Sequence, residues 1–392
     1  MIPQLLAKRM SLLGTETAFE VLAKAKKLEA EGREIIHLEI GEPDFDTPRN
    51  IIDSAIHALN NGYTHYTPAS GLPIVRQAIA DYVKERKNVA ATAEEVVIVP
   101  GGKPIMFYVI MALVDPGDEV LYPNPGFPIY ESVIKFAGGT AVPMPLLEVN
   151  DFRLDIDDLA QKINERTKLI IINSPANPTG GFLTKEDIER IADLVRGKNI
   201  LVMSDEIYDR VVYEGTPLSI ASLPGMKEQT IILDGFSKTY AMTGWRLGYG
   251  VMPVALAERI TQLMVNTNSC TAAFTQMAGL EALTGPQDAV HEMVAEFRRR
   301  RDIIVAGLNT IPGISCVMPH GAFYAFPNVR SLGMPSKKLA DHLLQEGGVA
   351  VLGGTAFGEY GEGYLRLSYA NSVENIQLAL ERIETTVRKL GK

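Results

Sequence analysis

TIILDGFSKTYAMTGWRLGYGVM, residues 230–252, is the stretch that decides the fold. It begins with an apolar run, TIILD, without the alternation of a half-exposed strand, so it reads as a strand buried on both faces. A second strand-like run, LGYGVM (247–252), closes it. Between the two, Lys238 sits among small and aromatic residues, and Arg246 follows eight positions later. Lysine and arginine are seldom deeply buried without a partner. The stretch therefore asks what ligand needs an amine and a guanidinium side by side.

Working outward, more short apolar runs precede it: EEVVIVP (94–100), DEVLYP (118–123), TAVPMPL (140–146), KLIIIN (168–173) and NILVMSD (199–205). Helical patterns at 103–114, 127–137 and 184–196 alternate with them. This alternation predicts an α/β fold, a doubly wound and mainly parallel sheet covered by helices. Sites in such sheets form beyond the carboxyl ends of the strands. The C-terminal part reads differently, as a smaller α+β layer. It contains a long charged helix near 286–309, the runs GAFYAFP (321–327), VAVL (349–352) and YLRLSY (364–369), and helices near 336–346 and 373–389. The early helix 17–31 and strand EIIHLEI (34–40) are expected to pack with that layer. The expected division is an N-terminal segment, 1–45, contributing to the small domain, a large ligand-binding domain, 46–290, and a small C-terminal domain, 291–392.

Composition narrows the class. The 392 residues are 46% hydrophobic and 22% charged, an ordinary water-soluble profile. A formal net charge of -9 argues against general nucleic-acid binding. Two cysteines, Cys270 and Cys316, are too few for a secreted disulfide framework. The stretch MIPQLLAKRMSLL has charges within its apolar run and makes a poor signal peptide. No run is long enough to span a membrane, so a cytoplasmic protein is the expectation.

Polar residues cluster where strands should end. Gly101-Gly102-Lys103 follows VVIVP and opens a helix, where free N–H groups suit an anion. Asn124-Pro125-Gly126-Phe127 presents a ring, and SPANPTGG holds Asn177 in a restrained turn. Asp205, Glu206 and Tyr208 follow ILVMS. Each alone reads as a turn, a packing ring or a helix cap. Together they give an anion cradle, a ring, an amide, a carboxylate, a phenol, an amine and a guanidinium. Pyridoxal phosphate asks for that inventory, with Lys238 supplying the amine for a Schiff base and Arg246 facing the phosphate.

The motifs IGEPDFDTP (40–48), YTPASGLPIVRQAI (66–79), GGK (101–103), NPTGG (177–181), SDEIYD (204–209), SKTYAMTGWRLGY (237–249) and YLRLSYA (364–370) occur in this order. In them the chain resembles the class I aminotransferases of fold type I, the branch with aspartate, alanine and aromatic aminotransferases. The resemblance implies a pyridoxal 5'-phosphate enzyme that moves an amino group between an L-amino acid and a 2-oxo acid. It implies that Lys238 holds the cofactor and that Asp205 pairs with its pyridine nitrogen. Tyr208 and Asn177 would donate to the phenolic oxygen, and Phe127 would stack on the ring. Gly102, Lys103, Ser237 and Arg246 would surround the phosphate. Tyr66 would reach the neighbouring subunit's cofactor in a homodimer. Arg366 would take the substrate α-carboxylate, helped by Asn177 and the backbone at Gly41. Where some relatives carry serine three residues before the lysine, this chain has Gly235. No second arginine of the dicarboxylate-specific kind can be placed.

Alternation in YLRLSY puts Tyr364, Arg366 and Ser368 on one face. Arginine's planar fork matches a carboxylate through two parallel hydrogen bonds. Three rivals remain beside the transaminase. A β-lyase or other α-carbon chemistry could use the same scaffold. A cofactor-binding regulatory module would need a DNA-binding head, and no basic segment precedes the sheet motifs. A nicotinamide dehydrogenase is set aside because GGKPIM lacks the G-x-G-x-x-G spacing. FRRRRD (297–302) is expected to be a solvated helix face with local pairs. His65 and His320 are not spaced as metal ligands, and no metal is expected.

Overall fold

A computed structural model describes residues 5–390; residues 1–4 and 391–392, the outer ends of the expected segments 1–45 and 291–392, lie outside it. A short strand, β1 (Ile36–His37), comes first. The main sheet then takes β2 (Val96–Val99), β3 (Glu119–Asn124), β4 (Thr140–Pro145), β5 (Thr167–Asn173), β6 (Leu201–Asp205), β7 (Thr230–Gly235) and β8 (Gly248–Val251). Short strands β9 (Tyr324–Ala325), β10 (Val349–Ala350), β11 (Leu352–Gly353) and β12 (Leu365–Ser368) follow.

The seven main strands lie in the order β2-β8-β7-β6-β5-β3-β4. β8 runs antiparallel to β2 and β7, and the remaining pairs are parallel. Every residue of β2, β3, β7 and β8 is buried, as expected for a sheet covered on both faces. Alternate residues choose the face. Val97, Val99, Ile231 and Leu233 pack with helices Lys103–Leu113 and Val254–Thr267. Val96, Ile98 and Ile232 pack with helices Pro73–Lys87 and Ala273–Thr284. Each such Val or Ile contributes roughly 1.5–3 kcal/mol by leaving water. β4 pairs only with β3, at the sheet edge, where Pro143 and Pro145 lose no ladder bond.

Away from this sheet the strands are shorter than the apolar runs. GAFYAFP yields only the two residues of β9: Ala322 takes a left-handed φ of 57° and Pro327 has no N–H to give. EIIHLEI yields only β1, which pairs in parallel with β10, Ile36 opposite Val349. Thus the early strand does join the C-terminal elements. Helix Ala273–Thr284 carried no readable stripe, because small residues line it on several sides.

FRRRRD departs from expectation. Arg298 and Arg299 face solvent, but Arg300 and Arg301 are buried. Arg300 bonds Asp44 and Glu296 and lies over the rings of Phe45 and Phe297. Arg301 bonds the Pro319 carbonyl and Asp302 and lies over Tyr213. Arginine's flat, weakly hydrated head makes this tolerable, and its long stem packs as a hydrophobe.

A further buried cation ties a helix to the strand ends. Lys87, at the end of helix Pro73–Lys87, donates to Glu206 at 2.8 Å, lies 3.0 Å from Asp234 and also bonds Asp209. Burial alone would strip its proton, but the three carboxylates outweigh burial and hold its pKa well above the usual value. Ser204 and Ser219 hydroxyls complete the shell of Glu206 at 2.9 and 2.7 Å. Lys87→Met leaves this acidic cluster uncompensated and is expected to cost about 3–5 kcal/mol. Urea unfolding at pH 7 checks it; a loss below ~1 kcal/mol would contradict the assignment.

Candidate active site

A cavity of about 500 Å³ opens at the carboxyl edge of the main sheet, where Asp205 ends β6 and Lys238 follows β7 by three residues. Its volume lies within the roughly 300–1,000 Å³ usual for small-molecule sites. Gly41, Gly102, Lys103, Phe127, Asn177, Asp205, Tyr208, Ser237, Lys238, Arg246 and Arg366 all line it, drawn from eight separate places in the chain. Among the expected site residues, Tyr66 does not line it; its side chain stands 90% exposed.

Lys238 Nζ points inward and donates to the Gly41 carbonyl. Burial is the first cause of its lowered pKa, from the usual 10.5 to about 8, and the positive charges of Arg366 and Lys103 add to it. Glu42 and Glu16 pull the other way. The amine is still mostly protonated at pH 7, but it gives up its proton far more readily than an ordinary lysine.

Asp205 is fixed from two sides. Tyr130 donates to Oδ2 at 2.5 Å and the Ile207 N–H to Oδ1 at 3.3 Å. Burial pushes its pKa up to about 6, against those two hydrogen bonds, so it remains mostly ionised at pH 7. Behind it, Asn173 donates to the Asp205 carbonyl at 3.0 Å and accepts from the Asn177 N–H at 2.9 Å, joining β6 to the NPTGG turn. Tyr208 meets Tyr324 hydroxyl to hydroxyl at 2.6 Å, and burial holds Tyr208 well above its usual pKa as a neutral phenol.

Arg366, on β12, is 4% exposed and lies over the rings of Tyr324 and Phe357, 4.6 and 5.0 Å from their centres. Nη1 donates to Asn177 Oδ1 at 3.3 Å, and Nη2 donates to the Glu39 carbonyl. Its Nε is buried with no partner. A buried, unpaired guanidinium edge beside an amide is a place for an incoming carboxylate.

At the other end, Lys103 opens helix Lys103–Leu113, and the start of that helix, Gly102 and Lys103, borders the cavity. The Lys103 side chain itself turns away to Glu16 and lies 5.5 Å from the Phe127 ring centre. Arg246 is not deep, as the sequence suggested; it is exposed, in a left-handed φ of 52°, and bonds the Thr243 carbonyl at 2.7 Å. Its guanidinium lies against Gly101, whose left-handed φ of 85° is a conformation that favours glycine. Gly235 faces Gly248 across β7 and β8. A Cβ on Gly235 would lie 3.1 Å from Gly248 Cα and 3.2 Å from the Leu247 carbonyl, which accounts for glycine where some relatives have serine.

The donor set fits pyridoxal phosphate: an amine of lowered pKa, a buried carboxylate, a phenol, an amide, a helix start with an adjacent guanidinium, and an unpaired arginine edge. Sequence reasoning missed Tyr130 and Asn173 as members of this site. Tyr130 was legible in principle, one helical turn after Phe127 on the same face. Among the described residues no group of three metal-type ligands is found.

Residues 33–383 match the family model Aminotransferase class I and II. The chain is 42% identical over 361 residues to an aspartate aminotransferase of Pyrococcus abyssi, covering 91% of this chain and 92% of that one. It is 40% identical over 359 residues to aromatic-amino-acid aminotransferase 2 of Thermococcus litoralis, again covering 91% and 92%. The solved alanine aminotransferase of Pyrococcus furiosus superposes with a TM-score of 0.93 at 35% identity, covering 98% of this chain and 100% of that one.

Lys238 carries an internal test of its surroundings. Its folded pKa lies below the unfolded value, so between pH 8 and 10.5 the unfolded chain binds more protons and stability rises with pH. Lys238→Met should therefore stabilise the ligand-free chain near pH 7 by roughly 1–3 kcal/mol, tempered by solvent in the cavity. Urea midpoints should show that gain shrinking toward pH 10.5. A gain that does not change with pH would contradict the lowered pKa.

Proposed function

The chain belongs to the class I and II aminotransferases, and on that premise we propose which of its residues perform the transfer. The family is pyridoxal-phosphate-dependent, and the reaction moves an amino group between an amino acid and a 2-oxo acid. The observation that carries the residue assignment is the convergence of Lys238, Asp205, Tyr208, Asn177 and Arg366 on one cavity.

When bound, pyridoxal phosphate supplies an aldehyde that condenses with amines and a ring that accepts electrons from the substrate α-carbon. Lys238 offers an amine of lowered pKa, which reduces the cost of deprotonating it before attack. Freed by an incoming amino acid, the same Nζ accepts the α-proton and later releases it, a base and then an acid. Asp205, ionised and locked by Tyr130, would hold the pyridine end of the group and favour its protonated form. Tyr208, Asn177 and Phe127 would hold its ring. The helix start at Gly102–Lys103, with Ser237 and Arg246, would hold its phosphate. Arg366 and Asn177, with the backbone at Gly41, orient the substrate carboxylate. Phe357 and Tyr324 cover that guanidinium and shield it from water.

A homodimer is part of the proposal, with Tyr66 reaching the neighbouring site. Leu5 and Leu6, 83% and 56% exposed, and the exposed Tyr66 support it as apolar surface awaiting cover. Sedimentation of the loaded protein as a monomer at micromolar concentration would end that part. A cytoplasmic setting is supported by two cysteines that form no disulfide. No helix among the described residues is long and apolar enough to cross a membrane.

The test is a panel of amino acids added to the loaded protein, followed by cofactor absorbance and keto-acid release. Conversion without ammonia release is expected; ammonia and pyruvate from a cysteine-type substrate with no keto acid present would favour a β-lyase. Lys238→Ala should lower turnover by at least ~10⁴-fold, and Arg366→Lys should chiefly raise KM, by about 10–100-fold. Near-native turnover in Lys238→Ala would overturn the assignment.

A further inference from the structure

One side-chain ion pair in the cavity has no part in the chemistry just assigned, which uses Lys103 only through the backbone at the helix start. Glu16 and Lys103 both line the cavity, and the Glu16 carboxylate accepts from Lys103 Nζ. Glu16 stands just before helix Thr17–Ala30, where a short polar side chain ordinarily accepts from the first N–H groups. Its side chain makes no such cap. It is turned onto Lys103 instead. The two side chains are 20% and 50% exposed, and so open a pair adds little to stability.

Position gives the pair its meaning. Glu16 shares the cavity lining with Lys238, Tyr324 and Arg366 and a smaller adjoining recess with Asn177, Phe357 and Arg366, so it stands over the ground that a substrate must occupy. With the α-carboxylate on Arg366 and the α-carbon before Lys238, the wall left to a substrate side chain includes Glu16, Ala18, Phe19 and Ile40. Of the four cations lining the cavity, Lys238, Arg366 and Arg246 have assigned partners. Lys103 is the remaining one, and Glu16 already neutralises it. Glu42 adds a second carboxylate to the same lining.

We propose that Glu16 is a specificity-determining residue: it occupies Lys103 and sets a negative charge against the side-chain end of the substrate. The cavity then rejects amino acids with a second carboxylate and accepts neutral side chains, which pack on Ala18, Phe19 and Ile40. The inference rests on the reading of the cavity as an amino-acid site. Two like charges a few ångströms apart, partly screened, are enough for about a tenfold preference.

The experiment uses the loaded enzyme, wild type, Glu16→Gln and Glu16→Asp. The ratio of kcat/KM for aspartate to that for leucine is measured, together with calorimetric binding of two unreactive probes, succinate and 4-methylpentanoate. In Glu16→Gln the aspartate-to-leucine ratio should rise about tenfold, and succinate should gain on 4-methylpentanoate by a similar factor. Glu16→Asp, which keeps the charge, should hold both ratios near wild type. Unmoved ratios in Glu16→Gln, with leucine still turned over, overturn the proposal and leave the transaminase reading intact. If no amino acid changes the absorbance of the wild-type enzyme, the transaminase reading itself falls, and this inference with it.

Discussion

Lys238 must be held where water cannot easily keep its proton, and much of the fold can be understood as the means of holding it there. The lysine follows a strand with every residue buried, and its amine enters a cavity that also contains Arg366. Burial acts first on its pKa and lowers it; Glu42 opposes that, and Arg366 adds to it. The same low-dielectric setting that disfavours an ammonium makes a free amine available for attack and proton transfer. Such a site is intrinsically unstable in the ligand-free chain, so stability has to come from the surrounding layers.

Those layers supply it in two ways. The sheet core buries alternate faces of β2, β7 and β8 under different helices, giving a rigid frame from which the strand ends project. Just behind the site, the Lys87 cluster binds Glu206, Asp209 and Asp234, which are immediate or near neighbours of Asp205 and Lys238 in sequence. Two buried lysines thus have opposite fates. Lys87 bonds three carboxylates, which hold its pKa up, whereas Lys238 Nζ bonds only a backbone carbonyl and burial lowers its pKa. The difference lies in the partners, since both are enclosed.

Particular residues show how far the sequence could be read. The buried strands of the main sheet were legible because LIII and ILVM runs have no polar face to offer solvent. The strand-end inventory was legible because glycine, asparagine, aspartate and lysine recur where ligands approach backbone. Pairwise tertiary partners were not. Nothing local in FRRRRD says that Arg300 and Arg301 will be covered by Phe45, Phe297 and Tyr213, residues up to 255 positions away. Nothing local in TETAF says that Glu16 will leave its helix uncapped and turn to Lys103. Arg246 failed for a similar reason: aromatic neighbours in sequence suggested depth, but the left-handed backbone at 246 brings it to the surface against Gly101.

The central claim is that the amine of Lys238, among all the lysines of the chain, is the one the cavity prepares for an aldehyde. Loading the protein with pyridoxal phosphate, reducing it with borohydride and mapping the modified peptide by mass spectrometry tests this directly. The account predicts one stoichiometric phosphopyridoxyl group, on Lys238. Stoichiometric labelling of Lys87, Lys103 or any other lysine, with Lys238 unmodified, would contradict it.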